Sequence, residues 1–419
     1  MNEKIRENIN EPVALERLYR EDKKSFEVDF EQIYPEIKNT DIARFWKARI
    51  DFDQPAEKVN NPSRLDIFIL IVACTITGFL IKLPKIFDIN LKDFLYYEKN
   101  AGLIVLFGLS VYAIWTNKIA DRKKLVFTLF AFLIPAIFIN LLPSNRESNS
   151  INLAYIHLPF LMWSIYGLVY IRFDTADKTK RIDYIKYNGD LAILGAVIMI
   201  AGAILTGITI GLFSAIDVHI EKFYMEYIAI WGLVSAPIVA TYIIRNYPTL
   251  TNKIAPIIAN IFSPLVLITL IIFLINIPIS GKDLFNDRDL LLVFNVMLLG
   301  VMGIIVFSVS ETSIYKKQSF SEMILFVLTA VTLIIDLFAL SAIFYRLFEF
   351  GITPNRIAVA GSNILIFGNL ALIMIDLFKV NFRKSEIACV ENTISKYLPV
   401  YMLWTLIVVF GFPILFGMK

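Results

Sequence analysis

Runs of largely apolar residues, each near the roughly 17–25 that a helix needs to cross a hydrocarbon core, recur along the whole chain. They constrain its fold more than any other feature. They fall at 65–82, 101–116, 125–142, 151–171, 189–214, 227–244, 256–277, 290–309, 323–345, 356–378 and 399–416, about eleven spans by this length rule. The chain is 57% hydrophobic and only 18% charged, whereas a soluble domain carries about a quarter charged residues, so the bilayer is its expected solvent. Strand-type alternation is missing from these runs. In lipid every backbone polar group must be satisfied internally, which predicts an all-α polytopic helical membrane bundle of about eleven spans rather than a barrel.

The segment 1–64 is charged and lacks a short apolar core ending in small residues, so it is expected to stay in the mature chain as a cytoplasmic helical segment ahead of a transmembrane domain at 65–419. Lys and Arg concentrate in that segment and in the connections after even-numbered spans. Arg172, Lys178, Lys180, Arg181 and Lys186 follow the fourth span, and Lys379, Arg383, Lys384 and Lys396 follow the tenth. This bias predicts a cytoplasmic N-terminus and an outside C-terminus. Cys74 and Cys389 are too few and too far apart for a disulfide framework.

Within 11–50, Leu15, Leu18 and Tyr19, then Phe26, Phe30, Ile33 and Ile37, recur at helical spacing. Pro12 suits an early helical position, and Asn39, Thr40 and Asp41 are capping candidates before a stripe of Ile42, Phe45, Trp46 and Ile50. Two amphipathic helices of this size have little core of their own, so packing on each other and on the inner face of the membrane domain is expected, as a structural cap or as a surface for a cytoplasmic protein partner. Acids match or exceed bases there, which excludes nucleic acid as a partner. "RFWKAR" instead suits anionic headgroups, and "VNNPSR", Val59 to Arg64, reads as a linker.

Asp336 is the sharpest single residue, because it falls near the middle of the ninth run. A charge at the bilayer centre costs about 2.5–3.5 kcal/mol on insertion scales. Thr329, Thr332, Asp336, Ala339 and Arg346 lie along one broad helical face, which must point into the bundle. Two readings follow: a protonatable carboxylate on an ion or small-molecule path, or a paired Asp that locks two helices together.

Other intramembrane features are Ala203, Gly207, Gly211 and Ala215, whose four-residue spacing lets helix backbones approach closely. Asn260, Ser263, Asn295, Ser362, Asn363 and Asn369 are expected to hydrogen-bond between helices, and Pro135, Pro159, Pro237 and Pro264 to kink or interrupt spans. His157 and His219, even with Asp217 or Glu221, give no compact ligand cluster, so neither a metal nor a cofactor is expected. Phosphate loops, nucleophile elbows and HExxH are all missing from the sequence. An intramembrane enzyme would need paired acids in one cleft, for which Glu311, Glu349 and Asp376 are the loose candidates.

Between the ninth and tenth runs, Gly351 and Pro354 supply a stop and a restart. Thr353 can cap, and Arg346, Glu349 and Arg356 are expected to form a charge cluster at the outer interface. The stretch "YRLFEFGITPNR", Tyr345 to Arg356, followed by an apolar helix, resembles the Tyr-Gly-(Leu/Ile)-Thr-x-x-Arg hairpin of bacterial polytopic membrane proteins grouped as domain of unknown function four-one-five-three. Phe350 stands where Tyr is usual. The stretch from Leu15, "LERLYREDKKSFEVDFEQIYPEIKNTDIARFWKARIDF", resembles the leader of Bacteroidota-type members. The resemblance implies a multi-pass protein of the bacterial inner membrane, assigns no activity, and carries over Arg356 without a role. Three functions stay open: a secondary transporter or permease, a non-transporting sensor or scaffold, and an intramembrane enzyme.

Overall fold

Every apolar run folds into a helix, and no strand forms among the described residues. The computed structural model describes the chain except residues 1, 22, 39, 54–63, 88–93, 215–218, 280–284, 286–287, 313–318 and 419. It divides into two compact units, Met1–Ser63 and Arg64–Lys419. The "VNNPSR" linker and the capping candidate Asn39 thus lie wholly or largely outside the described residues.

The first unit holds α1 (Asn2–Glu7), α2 (Pro12–Glu21), α3 (Lys23–Ile37) and α4 (Asp41–Asp53). Pro12 opens α2, and Thr40 caps α4 by accepting from the Ala43 amide at 3.3 Å. The expectation of two helices without a core is corrected. Leu15, Tyr19, Phe26, Phe30, Ile33, Trp46 and Ile50 bury one another completely or nearly so, together with Ile5 of α1. The apolar faces meet inside the unit because α2, α3 and α4 each present theirs to the same centre. Phe45 is the exception on its stripe, at 64% exposure. Arg49 seals the edge of this core: it pairs with Glu16 at 2.7 Å and lies over the Trp46 ring at 4.8 Å. The hydrogen bond from Arg20, with Arg49 beside it, holds the Glu16 carboxyl below the usual carboxylate range. A lowered carboxylate favours the folded state above its ordinary pKa and stops doing so as pH falls through the lowered value.

The second unit contains α5 (Arg64–Ile86), α6 (Tyr96–Thr116), α7 (Arg122–Leu141), α8 (Asn149–Tyr170), α9 (Thr179–Ser214), α10 (Glu221–Asn246), α11 (Pro248–Ile279), α12 (Arg288–Glu311), α13 (Ser319–Phe350), α14 (Pro354–Phe382) and α15 (Ala388–Leu415). Ten of these are long and apolar enough to cross a membrane, and the described residues of α11 add the apolar stretch Ala259–Ile275. All eleven expected runs are therefore helices, and the chain is a multi-pass membrane protein. Helix α7 shows the lipid-facing pattern plainly: Phe127, Phe130, Ile134 and Ile137 are each about half exposed or more, with no polar counterpart on that face.

Helices α5, α6, α8 and α10 pack as one group and α11 to α15 as another, with α8 packing also on α14 and α15 and α9 touching members of both groups. Close approach is bought with glycine at a few crossings. Gly102 of α6 seats Pro159 of α8, whose ring lies 2.6 Å from where a Cβ would stand. Pro135, Pro159 and Pro237 lie inside continuous helices, and the irregular turns occur elsewhere, as π-helical segments at Tyr224–Ala229 in α10 and Ile407–Gly411 in α15.

The α13–α14 hairpin follows the expected stop and restart. Gly351 takes φ 76°, a left-handed value that glycine adopts freely. Thr353 accepts from the Arg356 amide at 3.3 Å, with Pro354 in the first helical turn. Thr353→Ala is expected to lower unfolding stability by about 1 kcal/mol, and Thr353→Ser to restore most of it, read from thermal unfolding of the purified protein in detergent.

Candidate functional site

Asp336 lies on the buried face of α13 with Thr329, Thr332 and Ala339, each 0% exposed. The threonine hydroxyls are committed to their own helix, donating to the Leu325 and Leu328 carbonyls at 2.7 Å. This spares the core two unsatisfied donors and leaves none for the acid. Both Asp336 carboxyl oxygens are buried without a hydrogen-bond partner among the described residues. Ile335, Ala339 and Ala342 of the same stretch of α13 belong, with Ile366, Leu370 and Ile373 of α14, to one buried apolar cluster.

Asp336 and Asn369 stand at matching distances on either side of the Gly351 turn, so antiparallel packing of α13 and α14 sets them at one level of the bundle. Asn369 is 1% exposed, donates from Nδ2 to the Tyr401 hydroxyl of α15 at 3.1 Å, and leaves its Oδ1 buried without a partner. Tyr401 is within electrostatic reach of Asp336. Gly368 beside Asn369 admits the Tyr397 hydroxyl, 2.9 Å from where a Cβ would be. Asp336 and Asn369 thus offer three buried acceptor oxygens, two of them sharing a formal negative charge, and none accepts a hydrogen bond among the described residues. A proton or a small hard cation is the chemical species that such a set lacks.

The other expected residues are placed as follows. Asn295 of α12 accepts from Asn363 Nδ2 at 2.7 Å, an interhelical bond, and Ser263 and Ser308 join α11 to α12 at 2.7 Å. Ala203 and Gly207 face outward, and open space surrounds the point where a Gly207 Cβ would be. Gly211 continues their row, and Ala215 lies outside the described residues. Among the described residues no helix packs on Ala203 and Gly207. At the hairpin, Arg346 and Arg356 lie over the Phe350 ring at 5.8 and 5.5 Å, and Arg356 donates to the Phe350 and Gly351 carbonyls at 2.6 Å. Among the described residues no ion pair joins Glu349 to Arg356, and the Phe350 ring is a contact of both arginines that the charges alone did not suggest. Glu349 lies at the hairpin end of α13, while Glu311 ends α12 at the other end of the bundle, so these acids do not share a cleft. Asp376 is paired with Lys379 at 2.7 Å and accepts from Thr393 at 2.5 Å. His157 is engaged by the Leu153 carbonyl at 2.9 Å, and Asp217 lies outside the described residues.

Sequence reasoning passed over a second polar region. A cavity of about 440 Å³ lies where the C-terminal ends of α6, α8 and α10 meet the first turns of α9, lined by tyrosines and by Arg172, Lys180 and Arg245. Tyr166 donates to Tyr187 at 2.7 Å, Tyr187 bonds Thr241 at 2.7 Å, and Thr241 donates to the Pro237 carbonyl at 2.7 Å. Arg172 and Phe173, at φ 55° and 62°, form the rim in a left-handed conformation that L side chains rarely adopt. Lys180 bonds Asp174 at 2.5 Å, and this bond, followed by the Asp177 amide, holds the Asp174 carboxyl below its ordinary range. Thr179 does the same for Asp177. Because both values are lowered, the rim turn should stay ordered above about pH 4, the ordinary aspartate value, and loosen as pH falls through the lowered ones. Amide-exchange protection at Asp177 and Thr179, whose N–H groups bond these carboxylates, is expected to be flat in neutral buffer and to drop in acid.

The chain matches no family model, no curated protein and no solved structure.

Proposed function

We propose that this multi-pass membrane protein is a secondary transporter in which a proton or a monovalent cation binds at Asp336. The observation that supports this most is the pair of Asp336 oxygens, fully buried in mid-span with no hydrogen-bond partner among the described residues. A helix-locking aspartate would be expected to hold a partner on the neighbouring helix, since a lone buried acid costs more than it returns. Asn369 Oδ1 adds a third unpaired acceptor at the same level. Occupation by a cation neutralises the charge, and its departure favours a rearranged bundle that lets water reach the carboxylate. That difference between the two states is the coupling that a transporter needs.

The charge bias of the connections supports a cytoplasmic N-terminus, and the hairpin resemblance supports the bacterial inner membrane. A reporter active only in the cytoplasm is expected to work when fused after Lys186 and to fail after Lys419; the reverse pattern overturns this orientation.

A sensor or scaffold is the second reading, favoured by a first unit with its own core and with Val13 and Phe45 at 74% and 64% exposure. Removing residues 1–63 separates the two. Cation-driven charge movement that survives the truncation supports the transporter, with the first unit as a regulatory or partner-binding element; loss of any cation response in the intact chain favours the scaffold.

A further inference from the structure

We propose that the tyrosine-lined cavity between α6, α8, α9 and α10 is a binding site for a phosphate-bearing ligand. Four hydroxyls that line it are already spent: Tyr166, Tyr187 and Thr241 pass their protons along one chain to the Pro237 carbonyl, and Thr116 donates to the Tyr112 carbonyl at 2.8 Å. Among the fully buried hydroxyls of the lining, that of Tyr112 is the exception. Tyr112 is 1% exposed, lines the same cavity, and its hydroxyl has no hydrogen-bond partner among the described residues. A buried O–H of this kind is costly unless something enters to meet it.

The charges around it select the sign of that ligand. Arg172 and Arg245 line the cavity, and among the described residues neither has a carboxylate partner. Lys180 is held by Asp174 at the rim, and Asp183 is the one acid in the lining. Three helix C-termini converge here and would by themselves disfavour an anion. Their carbonyls are partly offset: Arg245 donates to the Thr116 carbonyl at 2.7 Å and Lys124 to the Arg172 carbonyl at 3.1 Å. Both bonds leave guanidinium N–H groups of Arg172 and Arg245 to spare, and guanidinium forks match phosphate oxygens.

Size and position narrow the class further. A cavity of about 440 Å³ exceeds what a bare oxyanion fills, and Tyr170 and Tyr187, stacked at 4.6 Å, give one wall a flat apolar surface for the group that the phosphate is attached to. Its place at the ends of spans, on the side that the basic connections mark as cytoplasmic, is the level of lipid headgroups, where basic pockets between helices bind anionic lipids. A phospholipid headgroup and a soluble phosphate ester share this chemistry.

The test uses the full chain in detergent, with two probes. Native mass spectrometry compares retention of phosphatidylglycerol with phosphatidylcholine, and thermal unfolding compares glycerol 3-phosphate with chloride at equal ionic strength. A response to phosphatidylglycerol alone assigns the site to lipid; a response to glycerol 3-phosphate assigns it to a soluble ester. Whichever responds is expected to weaken about tenfold in Arg172→Gln or Tyr112→Phe, the order expected for one charge-assisted hydrogen bond. Arg172 is exposed at the rim, so Arg172→Gln should unfold at the wild-type midpoint without ligand, and Tyr112→Phe at or above it, because it removes a buried hydroxyl that bonds nothing among the described residues. Loss of the response in either variant upholds the site. No response to either probe in the wild type, or a response that both variants leave intact, overturns it.

Discussion

Asp336→Asn is expected to give a protein that unfolds at a higher temperature than the wild type and no longer moves charge when the cation concentration is stepped. The two effects have one cause. In the wild type, two carboxyl oxygens sit in an apolar core without a donor, and an unsatisfied buried polar group costs about 1–3 kcal/mol, more when charged. An amide of the same shape removes the charge and brings its own donor, so a gain of about 1–3 kcal/mol is expected. Asp336→Leu should also stabilise, by replacing the acid with packing. A locking role makes the opposite forecast, since either change would then cost stability. Charge displacement in proteoliposomes on a solid-supported membrane, after a step in proton or sodium concentration, reads the functional half without knowing the transported substrate. Stability gained where activity is lost is the usual mark of a strained functional site.

The second large effect is expected at Gly361. A Cβ there would lie 2.1 Å from the Trp404 ring, and that ring cannot swing away freely, because its Nε1 donates to Ser362 at 3.0 Å and its face meets the Phe412 edge at 6.1 Å. Gly361→Ala must therefore push α14 and α15 apart, at a cost of about 3 kcal/mol. Pairing it with Trp404→Ala should return part of that loss, since the two residues share one contact. Gly207→Ala is the internal contrast: with nothing near its Cβ position, no clash arises and a small gain, about 0.5–1 kcal/mol from helix propensity, is expected in the monomer. Equal effects at the two glycines would show that the helix crossings are wrongly placed.

Much of the fold was legible because lipid enforces a simple grammar of long apolar helices. All eleven runs became helices, and Asp336 fell on the buried face that its spacing with Thr329, Thr332 and Ala339 required. The Thr353 cap and the Gly351 turn were readable for the same local reason: a cap and a left-handed turn need particular residues within a few positions of each other.

What sequence did not reveal depends on which surface meets which. Periodicity finds an apolar face but says nothing of its partner, so two helices with little core were expected where four helices bury Phe26, Phe30 and Trp46 among themselves. The Ala203 and Gly207 row has the spacing of a packing surface, yet faces outward in this chain. At the hairpin, opposite charges suggested Glu349 as the partner of two arginines, and gave no sign that both would lie over the Phe350 ring. The tyrosine cavity draws on four helices separated by long intervals of chain. Its one local signal was the pairing of Tyr166 with Tyr170 and of Tyr184 with Tyr187, each a single turn apart, which places phenol groups together on two helices. Lys99 was missed as well: 2% exposed near the start of the second span, it donates to the Leu142 carbonyl at 3.0 Å.

Infrared difference spectroscopy of the full chain in lipid, comparing acid with alkaline buffer and sodium with a bulky organic cation, bears most directly on whether a cation occupies the mid-span acid. The expected result is a carboxyl band that responds to pH or to sodium in the wild type and is missing from Asp336→Asn. Identical difference spectra from the two proteins would contradict it.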